Sequence, residues 1–583
     1  MAGSYEQLDE QLLPTRLAES VRLEGVRKQA VETSRTRLVL VAAVFAFAFL
    51  VIAGRLIHLS SISEGEIGNL ALSGSGEIGL ARAEIVDRNG VLLASDLGTA
   101  SLYANPRRVL DAAEASARIS KVLSQIDHNE LLSKLSTSKS FVWVKRHLTP
   151  RQQYAVNALG LPGFAFLKEQ KRVYPLGGLV GHVVGYTGVD NRGLAGIEKH
   201  LDERLGAADR NGSAQPPLQL SVDVRVQHIL RYQLSVAMET YSALGAVGVI
   251  LDANSGEVVA SVSLPDFDPN RIDRAPDENR FNRASLGVYE MGSTFKIFTL
   301  AMALEHGTVD LADSIDARKP IRVARFQIRD DHAKERWLSV PEVFIYSSNI
   351  GAARMALDVG AERQQEFLDR IGLLQRAPLE VSEVGQPITP RPWKKVSTMT
   401  VAFGHGIAVS PIQMASAVAS LVNGGIRVFP TFMAAGAGVN RTQERVVSEQ
   451  TSKTLRRLLR LNVADEDGTG NKAEVPGYLV GGKTGTAEKA GINGYRRRAL
   501  MSSFVGVFPS TSPRYVVLVM FDEPKGTKET SGYANAGWTA APVVGRVIKH
   551  AAPLLGVEID NSDDPVPSEY VNLLKKGRQL ASF

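Results

Sequence analysis

At 583 residues, with 44% hydrophobic and 22% charged side chains, the chain is globular in composition and long enough for two or three domains. Its net charge of +6 comes without a dense basic run, which excludes a dedicated nucleic-acid binder. The absence of cysteine excludes disulfides and thiolate metal sites, and the ten histidines fall in no ligand spacing, so neither metal nor cofactor is expected.

The first element is apolar. Residues 38–54, "LVLVAAVFAFAFLVIAG", form an uninterrupted apolar run, extended by Leu56, Ile57 and Leu59 with Arg55 snorkelling. The segment 38–59 reaches the ~20 residues that a bilayer core requires. Arg27, Lys28, Arg35 and Arg37 stand just before it, so the positive-inside rule puts residues 1–37 in the cytoplasm and the remainder outside. A cleaved signal peptide would have a short charged lead and a small-residue cleavage site; here 37 residues precede the run and "RLIHLSSISEG" follows. A single uncleaved transmembrane anchor is expected. Its Ala42, Ala43, Ala46, Ala48 and Gly54 suit close packing on another membrane helix.

Beyond the anchor, "ARAEIVDRNGVLLASD" (81–96) reads as a hairpin turning at Asp87–Gly90. "RNGSAQPP" (210–217) reads as a linker and a domain boundary. An apolar helical pattern then starts behind Asp223 as its cap, and "GAVGVILDANSGEVVASVSL" is a strand–turn–strand. Helices and loops dominate from about 290 to 460 by the same periodicity. Strands return at "GYLVGGKTG", "SSFVGVFP" and "RYVVLVMF", and "APVVGRVIKHAAPLL" is a closing helix for that sheet. Strands at both ends with helices between them imply an α+β fold, one antiparallel sheet carrying an inserted helical subdomain. The polar residues 558–583 are expected to form a loosely held tail.

"GYLVGGKTGTAEKA" (477–490) supports two chemistries. Gly477, Gly482, Lys483 and Thr484 match a phosphate-binding loop, but such a loop must open a helix, whose N-terminus binds the phosphate. Here Gly491 and Asn493-Gly494 mark a hairpin turn, and "ALMSSFVGVF" follows as a second strand. Lys483 is therefore expected on a strand. An external catalytic region would also have no ATP.

"YEMGSTFKIFTLAMALEHG" (289–307) puts Ser293 three residues before Lys296 at the head of an apolar helix closed by Gly307. Residues i and i+3 share a helical face, so hydroxyl and amine can touch, and an unprotonated lysine can take the serine proton. The helix dipole favours a developing oxyanion at the same spot. A second serine–lysine pair, Ser136 and Lys139, opens no apolar helix and is expected in a solvated turn. Ser347-Ser348-Asn349 falls between two helical runs, where a loop presents polar groups, and Gly485 lets a substrate approach the strand backbone. His405 in "FGHG" is expected to be structural.

Serine–lysine, serine–asparagine and Lys483-Thr484-Gly485, in this order, are the set of penicillin-recognising serine acyl enzymes. The chain resembles the class B penicillin-binding proteins, the monofunctional peptidoglycan D,D-transpeptidases, over nearly its whole length after the anchor. "RAEIVDRNGVLLA", "RVYPLGGLVGHVVGYTG" and "GLAGIEKHLDERLGA" are similar to the three pedestal motifs of that family, with Ala83 in place of a glycine. "YEMGSTFK" carries Met291 where proline is usual. The resemblance implies a cytoplasmic tail (1–37), an anchor (38–59), an extended pedestal (60–217), a transpeptidase domain (218–557) and a C-terminal tail (558–583). It implies Ser293 as nucleophile on the penultimate D-Ala carbonyl and Lys296 as base, kept neutral partly by Lys483. It further implies Ser347 as proton relay and Asn349 as holder of the peptide amide. Lys483, Thr484 and Thr486 are implied to bind the terminal carboxylate beside Gly485, with an oxyanion hole from the backbone N–H groups of Ser293 and Thr486.

The substrates so implied are stem peptides, with β-lactams as inhibitors. The location is the bacterial inner membrane, with the catalytic domain periplasmic, and the expected partners are a polytopic lipid-linked glycan polymerase and other division proteins. Motif detail favours the septal enzymes over elongation- or sporulation-specific ones. A membrane-anchored β-lactam sensor is the alternative from another class, but it would need an output domain that a 37-residue tail does not supply. A bifunctional enzyme would need more room than the ~160 residues between anchor and linker.

Overall fold

The computed structural model describes residues 40–55, 81–206, 215–323, 326–434, 443–491, 494–560 and 566–580. The expected cytoplasmic tail, the ends of the expected anchor (38–39 and 56–59) and most of the expected linker (210–214) lie outside the described residues. Residues 40–55 are helical and exposed throughout. Among the described residues no helix is long and apolar enough to cross a membrane.

The chain forms two compact units. The first includes residues 100–168, where helices Ala112–Val122, His128–Leu135 and Pro150–Asn157 and strand Val142–Leu148 enclose Leu102, Ile119, Leu131 and Leu148. Asp111, Asp127 and Thr149 cap the three helices through their side-chain oxygens. Ser136 is the exposed C-cap of the second helix, its hydroxyl spent on the Leu132 carbonyl at 2.8 Å, as expected of a solvated turn.

The second unit holds residues 78–99 and 169–583. Its centre is an antiparallel sheet of β1 (Gly245–Asp252), β2 (Val258–Leu264), β3 (Gly481–Gly491), β4 (Gly494–Phe508) and β5 (Tyr515–Asp522), in the order β3-β4-β5-β1-β2. Distant segments therefore close one sheet, as expected. Alternation sends Val516, Leu518 and Met520 to one face and Val517, Val519 and Phe521 to the other. The second face is covered by α1 (Val224–Thr240) and, near the C-terminus, by Ala540–Ala551, through Leu230, Leu234, Val544 and Ile548. The first face is covered by α2 (Lys296–Glu305), α5 (Pro411–Val422) and α6 (Glu449–Ala464), with α3 (Val340–Ile345) and α4 (Asn349–Val359) packed beyond them. Both faces are dry along β1, β2 and β5, which is why those strands read as nearly continuous apolar runs. Each fully buried Leu or Val contributes about 1.5–3 kcal/mol.

Two features differ from expectation. The helical insertion carries small hairpins, Ser314–Asp316 with Trp337–Ser339 and Ile321–Val323 with Phe326–Ile328. The C-terminal segment is not loose, because Ser568–Leu580 is helical and buries Tyr570 and Leu574 in the main core. A docked apolar face there overrides the polar composition.

The three pedestal-like motifs meet in one buried ion network. Glu198, fully buried, accepts from Arg82 at 2.9 Å and from Arg172 at 2.6 Å; Arg172 also reaches Asp96 at 3.1 Å, and Arg82 reaches Asp202 at 2.6 Å. Two carboxylates bracket each guanidinium, so neither buried cation is left uncompensated.

Candidate active site

Ser293 lies in a 3-10 turn, Gly292–Phe295, that runs directly into α2, so Ser293 and Lys296 share a face at the positive end of the helix. Lys296 Nζ donates to Ser293 Oγ at 2.9 Å, Asn349 Oδ1 at 2.7 Å, the Ser347 carbonyl at 2.5 Å and Ser347 Oγ at 3.1 Å. The corner between α3 and α4 presents these acceptors. Ser348 caps α4, and Ser347 is held at φ +59°, a strained left-handed conformation that persists where surrounding structure over-determines it. The bracing comes from Asp330, which accepts from Ser348 Oγ at 2.7 Å and from the Ile350 N–H at 2.9 Å.

Lys483 is on edge strand β3, opposite Val505, and not at a helix start. Its Nζ donates to Ser347 Oγ at 3.0 Å, Thr469 Oγ1 at 3.3 Å and Thr484 Oγ1 at 3.4 Å. Ser347 Oγ thus bridges the two amines. The KTGT strand lies against the nucleophile turn with nothing between. A Cβ on Gly485 would fall 2.3 Å from the Met291 carbonyl oxygen, and one on Gly292, whose φ is +55°, would fall 2.6 Å from that of Thr486. Only glycine permits both approaches. Asn462 on α6 holds the strand by donating to the Gly482 carbonyl at 2.7 Å.

Both amines are fully buried. Burial lowers the Lys296 pKa to about 7, against the pull of Asp330 and Asp331. Burial also carries Lys483 well below the ordinary lysine range, helped by repulsion from Lys296. Burial, more than the neighbouring cation, therefore keeps the base neutral. A neutral Lys296 has two N–H donors, matched by Asn349 Oδ1 and the Ser347 carbonyl, which accept only; its lone pair then faces two hydroxyls, Ser293 at 2.9 Å and Ser347 at 3.1 Å.

Ser293, Ser347, Thr484 and Thr486 open on a cleft of about 380 Å³. Its walls carry Asp331, His332, Tyr346, Thr469, Lys472 and Trp538, with Lys472 Nζ 4.0 Å from the Trp538 ring centre. Sequence reasoning missed Asp330, Thr469 and these walls. Two details differ from the implied roles. Asn349 is engaged at both ends of its amide, by Lys296 and by the Arg329 carbonyl at 2.9 Å. Lys483 lies behind Thr484 and Ser347, not at the cleft surface. His405 packs between Phe403 and Tyr495 with its ring tilted to both, and does not line the cleft.

A family model described as penicillin binding protein transpeptidase domain matches residues 246–548, and one described as penicillin-binding protein dimerisation domain matches 77–213. The chain belongs to the penicillin-binding protein transpeptidase family. It is 40% identical over 537 residues to the probable peptidoglycan D,D-transpeptidase FtsI of Caulobacter vibrioides, covering 90% of each chain. It is 32% identical to the probable peptidoglycan D,D-transpeptidase PenA of Neisseria meningitidis, over 92% of this chain and 95% of that one. The crystal structure of penicillin binding protein 3 from Mycobacterium tuberculosis complexed with ampicillin superposes with a TM-score of 0.66 at 25% identity, covering 84% of this chain and 98% of that one. The expected class B membership and serine-type D,D-transpeptidase activity are both borne out.

Proposed function

We propose that this transpeptidase cross-links peptidoglycan stem peptides during cell division, from a single-pass anchor in the inner membrane. The observation that carries the chemistry is Lys296 Nζ, 2.9 Å from Ser293 Oγ and 3.1 Å from Ser347 Oγ, with both its N–H groups matched by acceptor-only groups. Ser293 Oγ attacks the penultimate D-Ala carbonyl as Lys296 takes its proton. The oxyanion forms between the backbone N–H groups of Ser293 and Thr486, which the Gly292 contact brings together. The intermediate collapses with cleavage of the bond to the terminal D-Ala, whose nitrogen receives the proton from Lys296 through Ser347. An amine of a neighbouring stem peptide then attacks the acyl carbon, its proton passes to Lys296, and Ser293 leaves as the hydroxyl. Thr484 and Thr486 hold the substrate carboxylate, Gly485 gives it room, and the Lys483 amine donates to Thr484 Oγ1 from behind. Asn349 holds Lys296. A β-lactam enters as a substrate mimic and stalls at the acyl stage.

The domain partition is proposed as 1–37, 38–59, 60–217, 218–557 and 558–583; the two family matches fall inside the third and fourth segments. The apolar helix at 40–55, uncovered on every side, supports the anchor reading, and with it a cytoplasmic tail and periplasmic catalytic domain. Its alanine-rich face supports docking on a polytopic lipid-linked glycan polymerase among other division proteins. For the division role, 40% identity to the Caulobacter FtsI over 90% of each chain is the support. Depletion in cells tests it: filaments are expected, and round cells would assign the enzyme to elongation.

A further inference from the structure

We propose that one face of α6, beside the connection from β4 to β5, binds a phosphate-class oxyanion at a site separate from the transpeptidase cleft. Lys453, Arg456, Arg457 and Arg460 line a cavity of about 140 Å³ with Ser510 and Thr511. Positions i, i+3, i+4 and i+7 share a helical face, so the sequence "KTLRRLLR" itself builds the stripe. Like charges at these spacings repel, and a folded chain ordinarily intersperses carboxylates among them.

Among the described residues only Arg460 has one at ion-pair distance, Glu474. Arg456 is partly buried and donates to the Thr511 carbonyl at 3.1 Å, while Arg457 lies 5.7 Å over the Tyr570 ring. Among the described residues, neither meets a carboxylate at ion-pair distance, and Lys453 has no hydrogen bond or ion pair. Burial, with repulsion from Arg457, lowers the Arg456 pKa despite Glu449 nearby. The second, independent observation is Ser510. Its side chain is buried in the lining of this cavity and its hydroxyl has no hydrogen-bond partner among the described residues. Native proteins rarely leave such a group unspent.

The donors outnumber what one carboxylate accepts, two guanidinium forks, an ammonium and a hydroxyl against about four lone-pair sites. A phosphate or diphosphate offers more. At about 140 Å³ the cavity is far below the ~300–1,000 Å³ of drug-sized pockets but holds several waters' volume of ~30 Å³ each, which suits a small oxyanion. Free phosphate and the headgroup of a phospholipid share this chemistry.

The test uses the full chain in neutral detergent, titrated calorimetrically with inorganic pyrophosphate and, separately, with dihexanoyl phosphatidic acid. Saturable binding that weakens with salt is expected for at least one. Binding of pyrophosphate assigns a free anion, and binding of the lipid alone assigns a headgroup. The pair Arg456→Gln and Arg457→Gln should weaken binding about tenfold or more, whereas Arg118→Gln on the other unit should not. Thermal melting reports folding; if the double variant does not fold, Lys453→Gln and Ser510→Ala should each weaken binding several-fold. No saturable binding of either probe, or binding indifferent to these substitutions, overturns the proposal.

Discussion

Replacing Asp330 by asparagine should shift the pH dependence of acylation, in a direction that the site dictates. Lys296 accepts the Ser293 proton only as a neutral amine. With its pKa lowered from 10.5 to about 7, about half of the amines are neutral at pH 7, about a tenth at pH 6 and about a hundredth at pH 5. An unperturbed lysine would be neutral in about one molecule in three thousand at pH 7, so burial raises the supply of base about a thousandfold. Asp330 opposes burial by favouring the ammonium. Asp330→Asn removes that charge and keeps an oxygen for the Ile350 N–H, so the Lys296 pKa falls further and the acid limb moves to lower pH. Ser348 Oγ loses a charged acceptor, which should cost about 1–3 kcal/mol and lower the melting temperature. Stopped-flow acylation with a fluorescent β-lactam reads the wild type and Asp330→Asn alike. The wild type should rise tenfold per pH unit below about 7 and level off above it. A limb where ordinary lysines titrate, or an alkaline displacement in Asp330→Asn, would refute the reasoning.

Lys483→Met, which nearly conserves volume, should slow acylation by about 10²–10³ while the protein stays folded and binds no nucleotide; nucleotide binding by the wild type, lost in this variant, would restore the phosphate-loop reading. Both lysine pKa values are depressed in the folded state, so the unfolded chain binds more protons below an ordinary lysine pKa. For Lys296, wild-type stability should therefore rise with pH between about 7 and 10.5, and a melting temperature that falls across this window would contradict the burial. Gly485→Ala should destabilise by about 1–3 kcal/mol and slow acylation, because the new methyl meets the Met291 carbonyl, Ser503 Oγ and Thr294 Cγ2. Exchanging residues 38–54 for a leucine-rich helix of equal length should leave β-lactam labelling normal but abolish function in cells; full complementation would make the segment a tether only.

The parts legible in the sequence are those set by local chemistry. The turn at Asp87–Gly90, the Asp223 cap, the turn between β3 and β4 and the placing of Ser293 and Lys296 on one face follow from neighbours a few residues apart. The sheet's closure by distant segments was also readable, because β1 and β5 are buried on two faces and so carry unusually apolar runs. What stayed hidden is tertiary. Asp330 sits 18 residues before the Ser348 it braces, beside a short hairpin with no strong periodicity. Glu198, between Arg82 and Arg172, is one acidic residue among many until the chain brings three separate motifs together. The strained φ of Ser347 leaves no mark in composition, since serine is common in loops of any conformation. Burial of both active-site lysines is likewise invisible, because lysine is almost always exposed.

The central claim is that Ser293, activated by Lys296, forms the acyl enzyme. The most direct measurement is peptide mapping by mass spectrometry after labelling the full chain with a fluorescent penicillin. One stable adduct is predicted, on Ser293, abolished in Ser293→Ala and retained in Ser136→Ala. An adduct on Ser136, or undiminished labelling of Ser293→Ala, would contradict the account.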